Sequence, residues 1–232
     1  STTRRPAQGR HALRAALVGR DGAPAAADDS RRVERFELSH PIWLAPDVSI
    51  ESGPNVSGGD FVRFGAGLDL PQSSRITAHI SKAGTYQMMV RARRCGPGPS
   101  LMMRVDSGEW LKVTSDVRSD AWRWFNLSAS IFMSAGEHEV QFKSAAAGVE
   151  ADLLAFVPAG RACVFVVPGG IPLTGEAPAT VVLECVNPLN RRQVVDLIWK
   201  DLPPGLSIEP TQSRWTVPGE GQASHAFALD TN

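Results

Sequence analysis

Between residues 83 and 157 apolar and polar positions alternate in runs that break at Gly, Pro, Asp or Ser: AGTYQMMVRAR, LMMRVDSGEWLKV, DAWRWFNLSASIFMSAGEHEVQFK and GVEADLLAFVP. A period of two sets successive side chains on opposite faces, so each run predicts strand, and strands at such regular spacing predict a β-sandwich. In TYQMMVRAR, Tyr86, Met88 and Val90 share a face, with Gln87 and Arg91 opposite and Met89 the exception. That pattern predicts one face in the core and the other largely in water. Upstream, RVERFEL reads as a first strand, WLAPDVSIESG and GGDFVRFGAGLDL bring the chain around, and Ile76, Ala78 and Ile80 line one face of SRITAHISKAG.

After residue 158 the pattern continues in shorter strands parted by Pro and Gly turns: RACVFVVPGG, ATVVLECVNP, QVVDLIWKDLPPGLSIEP, RWTVPGEG and ASHAFALD. Sustained 3.6-residue periodicity is missing everywhere except for a turn or two in the first 31 residues. The expected fold is therefore all-β, two consecutive sandwiches at residues 32–158 and 159–232, with an N-terminal arm at residues 1–31. The arm is rich in Arg, Ala and Gly and too poor in apolar residues to close a core, so its expected place is against its own domain or a neighbouring subunit.

Composition narrows the function classes. Lys plus Arg and Asp plus Glu both number 24, which gives no general attraction to nucleic acid or anionic membrane. No run approaches the roughly 18 apolar residues that span a bilayer. Arg14 interrupts the arm's only apolar run, so the arm lacks the hydrophobic stretch of a secretory signal, and export would rely on a peptide outside this chain. Of the three cysteines, Cys163 and Cys185 fall on neighbouring strands and could pair in an oxidising compartment, whereas Cys95 has no evident partner.

The phrases AGTYQMMVRAR, Trp122 in DAWRW, AGEHEVQF and ADLLAFVP together resemble the carbohydrate-binding modules of families 6 and 35, over about 125 residues. The second domain, through VVLECVNPLNRR, DLPPGLSIEP and VPGEGQASHAFAL, resembles bacterial immunoglobulin-like modules found beside sugar-active enzymes. The first resemblance implies a jelly-roll, galactose-binding-like sandwich in which Trp122 stacks on a sugar ring. It also implies a structural calcium between Glu37 on the first strand and Asp152 opening the last. The chain departs from that family in carrying Glu150 where an Asn often hydrogen-bonds the sugar, and in spacing Glu34 and Glu37 three apart, on opposite faces of a strand.

Sugar binding needs flat aromatic faces with a few planar hydrogen-bonding groups at the rim. Trp43, Trp110, Trp122 and Trp124 are the first domain's tryptophans; the expected site uses Trp122, assisted by Trp110 or Trp124, with Arg91, Arg93 and Glu150 at its rim. Trp43, Trp199 and Trp215 read as core. The histidines at 11, 40, 79, 138 and 225 have no second His or Cys at ligand spacing, and the nucleophile elbow GxSxG does not occur. The leading expectation is a non-catalytic, secreted or cell-surface protein whose partner is a polysaccharide or glycan. One alternative is a subunit of an extracellular filament that self-assembles by docking residues 10–20 on the next protomer as an added strand. Another is an accessory region of a polysaccharide-degrading enzyme.

Overall fold

The computed structural model describes residues 14–18, 33–65, 73–95, 99–114, 119–160, 163–167, 179–200 and 205–231, and every described regular element apart from one turn of 3₁₀ helix at Ser57–Gly59 is a strand. Strand β1 is Arg14–Val18. The first sandwich opens with β2 (Glu34–Glu37), β3 (Val48–Ser52), β4 (Asp60–Phe64), β5 (Ser74–Ile80) and β6 (Gly84–Arg93). It continues with β7 (Pro99–Val105), β8 (Leu111–Thr114), β9 (Arg123–Met133), β10 (Gly136–Ser144) and β11 (Glu150–Pro158). One layer runs β3-β4-β11-β6-β9, with β2 added along β11, and the other runs β8-β7-β10-β5. They join through a single pairing, Val113 opposite Leu127.

Alternation decides what lies between the layers. Ile76, Ala78 and Ile80 from β5, Met88, Val90 and Ala92 from β6, Val140 and Phe142 from β10, and Leu154 and Phe156 from β11 are all buried in one apolar core. An edge-to-face pair of Phe64 with Phe142 ties the layers together, and one of Tyr86 with Phe156 packs neighbouring strands of the same layer.

The second sandwich comprises β12 (Cys163–Val167), β13 (Ala179–Asn187), β14 (Gln193–Lys200), β15 (Leu206–Glu209), β16 (Gln212–Val217) and β17 (Gly221–Thr231). One sheet runs β12-β13-β17-β15, and the facing sheet is β1-β14-β16. Its core contains Val181, Leu183, Leu197, Phe227 and the two tryptophans read as core, Trp199 and Trp215. Residues 14–18 of the arm are thus a strand, not the turn of helix their sequence allowed, paired antiparallel with β14 so that Leu17 lies opposite Leu197. The rest of the docking segment 10–20 lies outside the described residues, as does His11.

The register sets Cys163 against Val186 and Val164 against Cys185. Cys185 is a buried free thiol, as is Cys95, so the pairing that Cys163 and Cys185 left open is not formed; burial pushes both thiols up to about 12, which keeps them protonated and unreactive.

The expectation that the outer face of β6 is wet does not hold. Met89 is fully buried and Arg91 is 2% exposed, because the second sandwich covers this face. Met89, Trp124, Leu153, Ala155 and Val157 form one apolar cluster with Val186 of β13. Full burial of each larger side chain of this kind contributes about 1.5–3 kcal/mol, enough to fix two small sandwiches against each other.

Candidate functional site

A charged cluster lies where the outer face of the first layer meets the second sandwich. At its centre is Arg91. Its Nη1 donates to Asp152 Oδ2 at 2.7 Å and to the Asn55 carbonyl at 2.9 Å, while Nε and Nη2 donate to the two carboxylate oxygens of Glu184 at 3.1 and 3.0 Å. Glu184 belongs to β13, so this fork crosses between the sandwiches. Its Oε2 also accepts Trp124 Nε1–H at 2.8 Å, and Gln222 Oε1 accepts the Trp124 backbone N–H at 2.9 Å. A guanidinium this deeply buried is tolerable because each of its edges meets an oxygen.

Asp152 sits where the β6–β11 register shifts between Ala151 and Leu153, and such an irregularity re-aims a side chain out of the ladder. Both of its oxygens accept the Ser57 backbone N–H at 3.1 Å, and the Ser57 hydroxyl donates to Glu37 Oε1 at 2.5 Å. The carboxylates implied as calcium ligands do therefore gather around one turn. Gly58 makes that turn at φ +67°, with its missing Cβ only 3.7 Å from the Glu37 carboxylate. Burial drives the Asp152 carboxyl up to about 6; Ser57 and Arg91 work against this and Glu37 adds to it. Glu37 Oε2 is buried with no hydrogen-bond partner. Glu37 Oε2 is thus the one unshared oxygen of the pair, since Asp152 is taken up by Ser57 and Arg91, and among the described residues no group of three metal-ligating side chains gathers here.

Trp122 directly precedes β9 and is half-buried on the same layer. Phe61 meets its ring edge-on at 5.6 Å between centroids, and the guanidinium carbons of Arg93 and Arg91 lie 4.7 and 5.3 Å from the ring centre. Glu150, itself buried, accepts Arg93 Nε and Arg94 Nη1. Trp122 Nε1–H is buried without an acceptor, a costly state that in native proteins calls for an explanation.

The expected site residues thus fall into two groups. Trp122, Arg91, Arg93 and Glu150 come together on one layer; Trp124 adjoins them but is 6% exposed and spent on the seam. Trp110 is not with them. It precedes β8 on the opposite layer, beneath Arg104 and Lys143. Trp43, read as core, is 40% exposed, paired with β5 through a bridge to Arg75. Glu184, Gln222, Ser57 and Asn55 were not anticipated. The one available signal is the apolar run LLAFVP that follows Asp152 in β11, which announces a strand covered on both faces.

A scan of protein-family models gives no match, and neither does a search of curated proteins. Among solved structures the chain is similar to a Bacillus thuringiensis Cry1Da tryptic core variant (19% identity, TM-score 0.46, 56% of this chain and 24% of that one). It is similar to the GH26–CBM35 β-(1,4)-mannanase of Podospora anserina (11%, 0.46, 56% and 28%). It is similar also to the carbohydrate-binding module of Cellvibrio mixtus lichenase 5A in complex with cellotriose (15%, 0.40, 54% and 96%). The matched part spans about a quarter of the first two proteins. Fold and site together define a class, an all-β protein of two sandwiches locked through Arg91 and Glu184.

Proposed function

We propose that the chain is a non-catalytic, secreted or cell-surface carbohydrate-binding protein that takes a neutral sugar ring at Trp122. The observation that carries this reading is the half-buried Trp122 indole, set beside Phe61, Arg91 and Arg93 on one layer. A sugar offers C–H faces to the exposed part of the ring and hydroxyls to the part-exposed Arg93 guanidinium beside it. Calcium belongs to this reading as a structural cation held by Glu37 and Asp152, neutralising the carboxylate pair. Calorimetry against cello-, xylo- and manno-oligosaccharides should show binding that Trp122→Ala abolishes; no binding, or binding that survives the substitution, counts against the site. Added calcium should raise Tm and a chelator lower it, and Glu37→Gln should remove the difference.

A second reading, self-assembly, is favoured by one observation: residues 14–18 add as a strand to β14. The same segment of another copy offers the same hydrogen bonds. Deleting residues 1–31 should abolish polymers seen by light scattering; a monomer before and after deletion ends this reading.

A further inference from the structure

The outer face of the β8-β7-β10-β5 layer carries chemistry that the Trp122 reading leaves unused. Its strands bury Ile76, Ala78, Leu101, Met103, Val140 and Phe142 inward, so the residues between them point outward. The register lines these up in rows. Arg75, Gln141 and Arg104 stand side by side across three strands, and Lys143, Met102 and Lys112 form the next row. Adjacent strands lie about 4.8 Å apart, so two rows make a patch roughly one nanometre across.

Gln141 organises the patch. It is 8% exposed, and its Oε1 accepts the Ser73 hydroxyl at 2.9 Å and both Nε and Nη2 of Arg104 at 3.0 and 2.8 Å, while its Nε2 donates to Glu139. A carboxylate in that position would cancel the Arg104 charge. The amide instead fixes the guanidinium's direction and leaves the charge for something outside the protein. Arg104 and the Lys143 ammonium both lie against the Trp110 ring, 4.8 and 4.4 Å from its centre. No described carboxylate pairs with Arg104, Lys112 or Lys143. Arg75 reaches Glu139 only at 3.4 Å, and also lies 5.8 Å from the ring centre of exposed Trp43. In a chain whose charges balance, the two rows hold Arg75, Arg104, Lys143 and Lys112 and no carboxylate, Glu139 and Asp106 standing in the row beside them, which is local segregation. None of the second sandwich's described residues hydrogen-bonds to this face.

We propose that this face is a second binding site, independent of Trp122, for an anionic polysaccharide, with Arg104, Lys143 and Lys112 pairing to its carboxylate or sulfate groups. Trp110 and Trp43 supply apolar surface for the sugar rings between those groups. The aromatic rims favour a glycan over other polyanions, because they match C–H faces that alternate with charge.

The test is calorimetry of the full chain with alginate, dextran sulfate, neutral dextran and duplex DNA at two sodium chloride concentrations. Alginate or dextran sulfate should bind, more weakly at the higher salt, and whichever binds more tightly identifies carboxylate or sulfate. Arg104→Gln with Lys143→Gln should weaken this at least tenfold. Lys143→Glu alone, at the surface and tolerated by the fold, should do nearly as much, whereas Trp122→Ala should change nothing. Failure of both anionic glycans to bind, equal binding of neutral dextran or DNA, or indifference to the charge substitutions overturns the proposal. Loss with Trp122→Ala would also overturn it, by assigning the binding to the other site.

Discussion

The two outer faces of the first sandwich carry similar residues and meet opposite fates. On one, Arg91 is held by Asp152, Glu184 and the Asn55 carbonyl and is almost wholly enclosed; on the other, Arg104 leans on a single glutamine and a Trp ring and stays half-exposed. Burying a guanidinium requires a full complement of acceptors, and only the face met by a second sandwich provides them. The covered face has become structure. The open face keeps its cations available.

The comparison breaks most sharply at Arg91. Arg91→Leu leaves buried Asp152 and part-buried Glu184 without their cation and should cost about 3–5 kcal/mol in urea denaturation, whereas Arg104→Leu should change stability by less than about 1 kcal/mol. Equal losses would mean that the seam contributes no more than an exposed patch.

Glu184→Ala should cost less, about 2 kcal/mol, because Arg91 keeps Asp152 while the bonds to Arg91 and Trp124 are lost. Trp124 would report it: its fluorescence should shift to the red, and the single unfolding transition should separate into two. An unchanged spectrum and one transition would show that the apolar cluster around Val186 holds the sandwiches unaided.

The smallest effect lies at the end of the open layer, where His138 Nδ1 meets Asp106 at 2.8 Å. Burial is the largest single influence and lowers the imidazole pKa, but the hydrogen bonds to the Asp106 carboxylate and the Ser134 carbonyl and the Asp106 charge together outweigh it, so it is raised. A raised histidine stabilises the fold fully below its unfolded pKa of about 6.5 and loses that contribution as pH climbs through the folded value. His138→Ala should therefore cost a few tenths of a kcal/mol near pH 5.5, after screening at this accessible site, and nothing at pH 8. A difference that grows with pH would reverse the assignment.

What could be read in advance follows the range of the interactions. Ile76, Ala78 and Ile80, or Tyr86, Met88 and Val90, announce their common face because alternation is local and the core between layers enforces it. Trp122 was found through resemblance, and the structure sets it with Arg91, Arg93 and Glu150. Trp43 was misread because it lies outside a regular strand, where no period says which way a side chain points. Arg91 looks wet in sequence because its partner, Glu184, is 93 positions away on another sandwich, and Met89 looks like an exception because the Val186 it packs near is on that sandwich too. The RAALV segment reads as a strand only when a partner is supplied, as in the self-assembly alternative, because an edge strand is specified by the neighbour it completes, here β14.

That last pairing bears on how the molecule comes into being. Residues 14–18 leave the ribosome before any of the first sandwich exists, yet their partner β14 emerges roughly 180 residues later, after the whole intervening domain has had time to fold. Throughout that interval a short strand waits for the partner it will pair with. The rate of translation and the company of chaperones thus become part of what decides whether β14 is closed by its own chain.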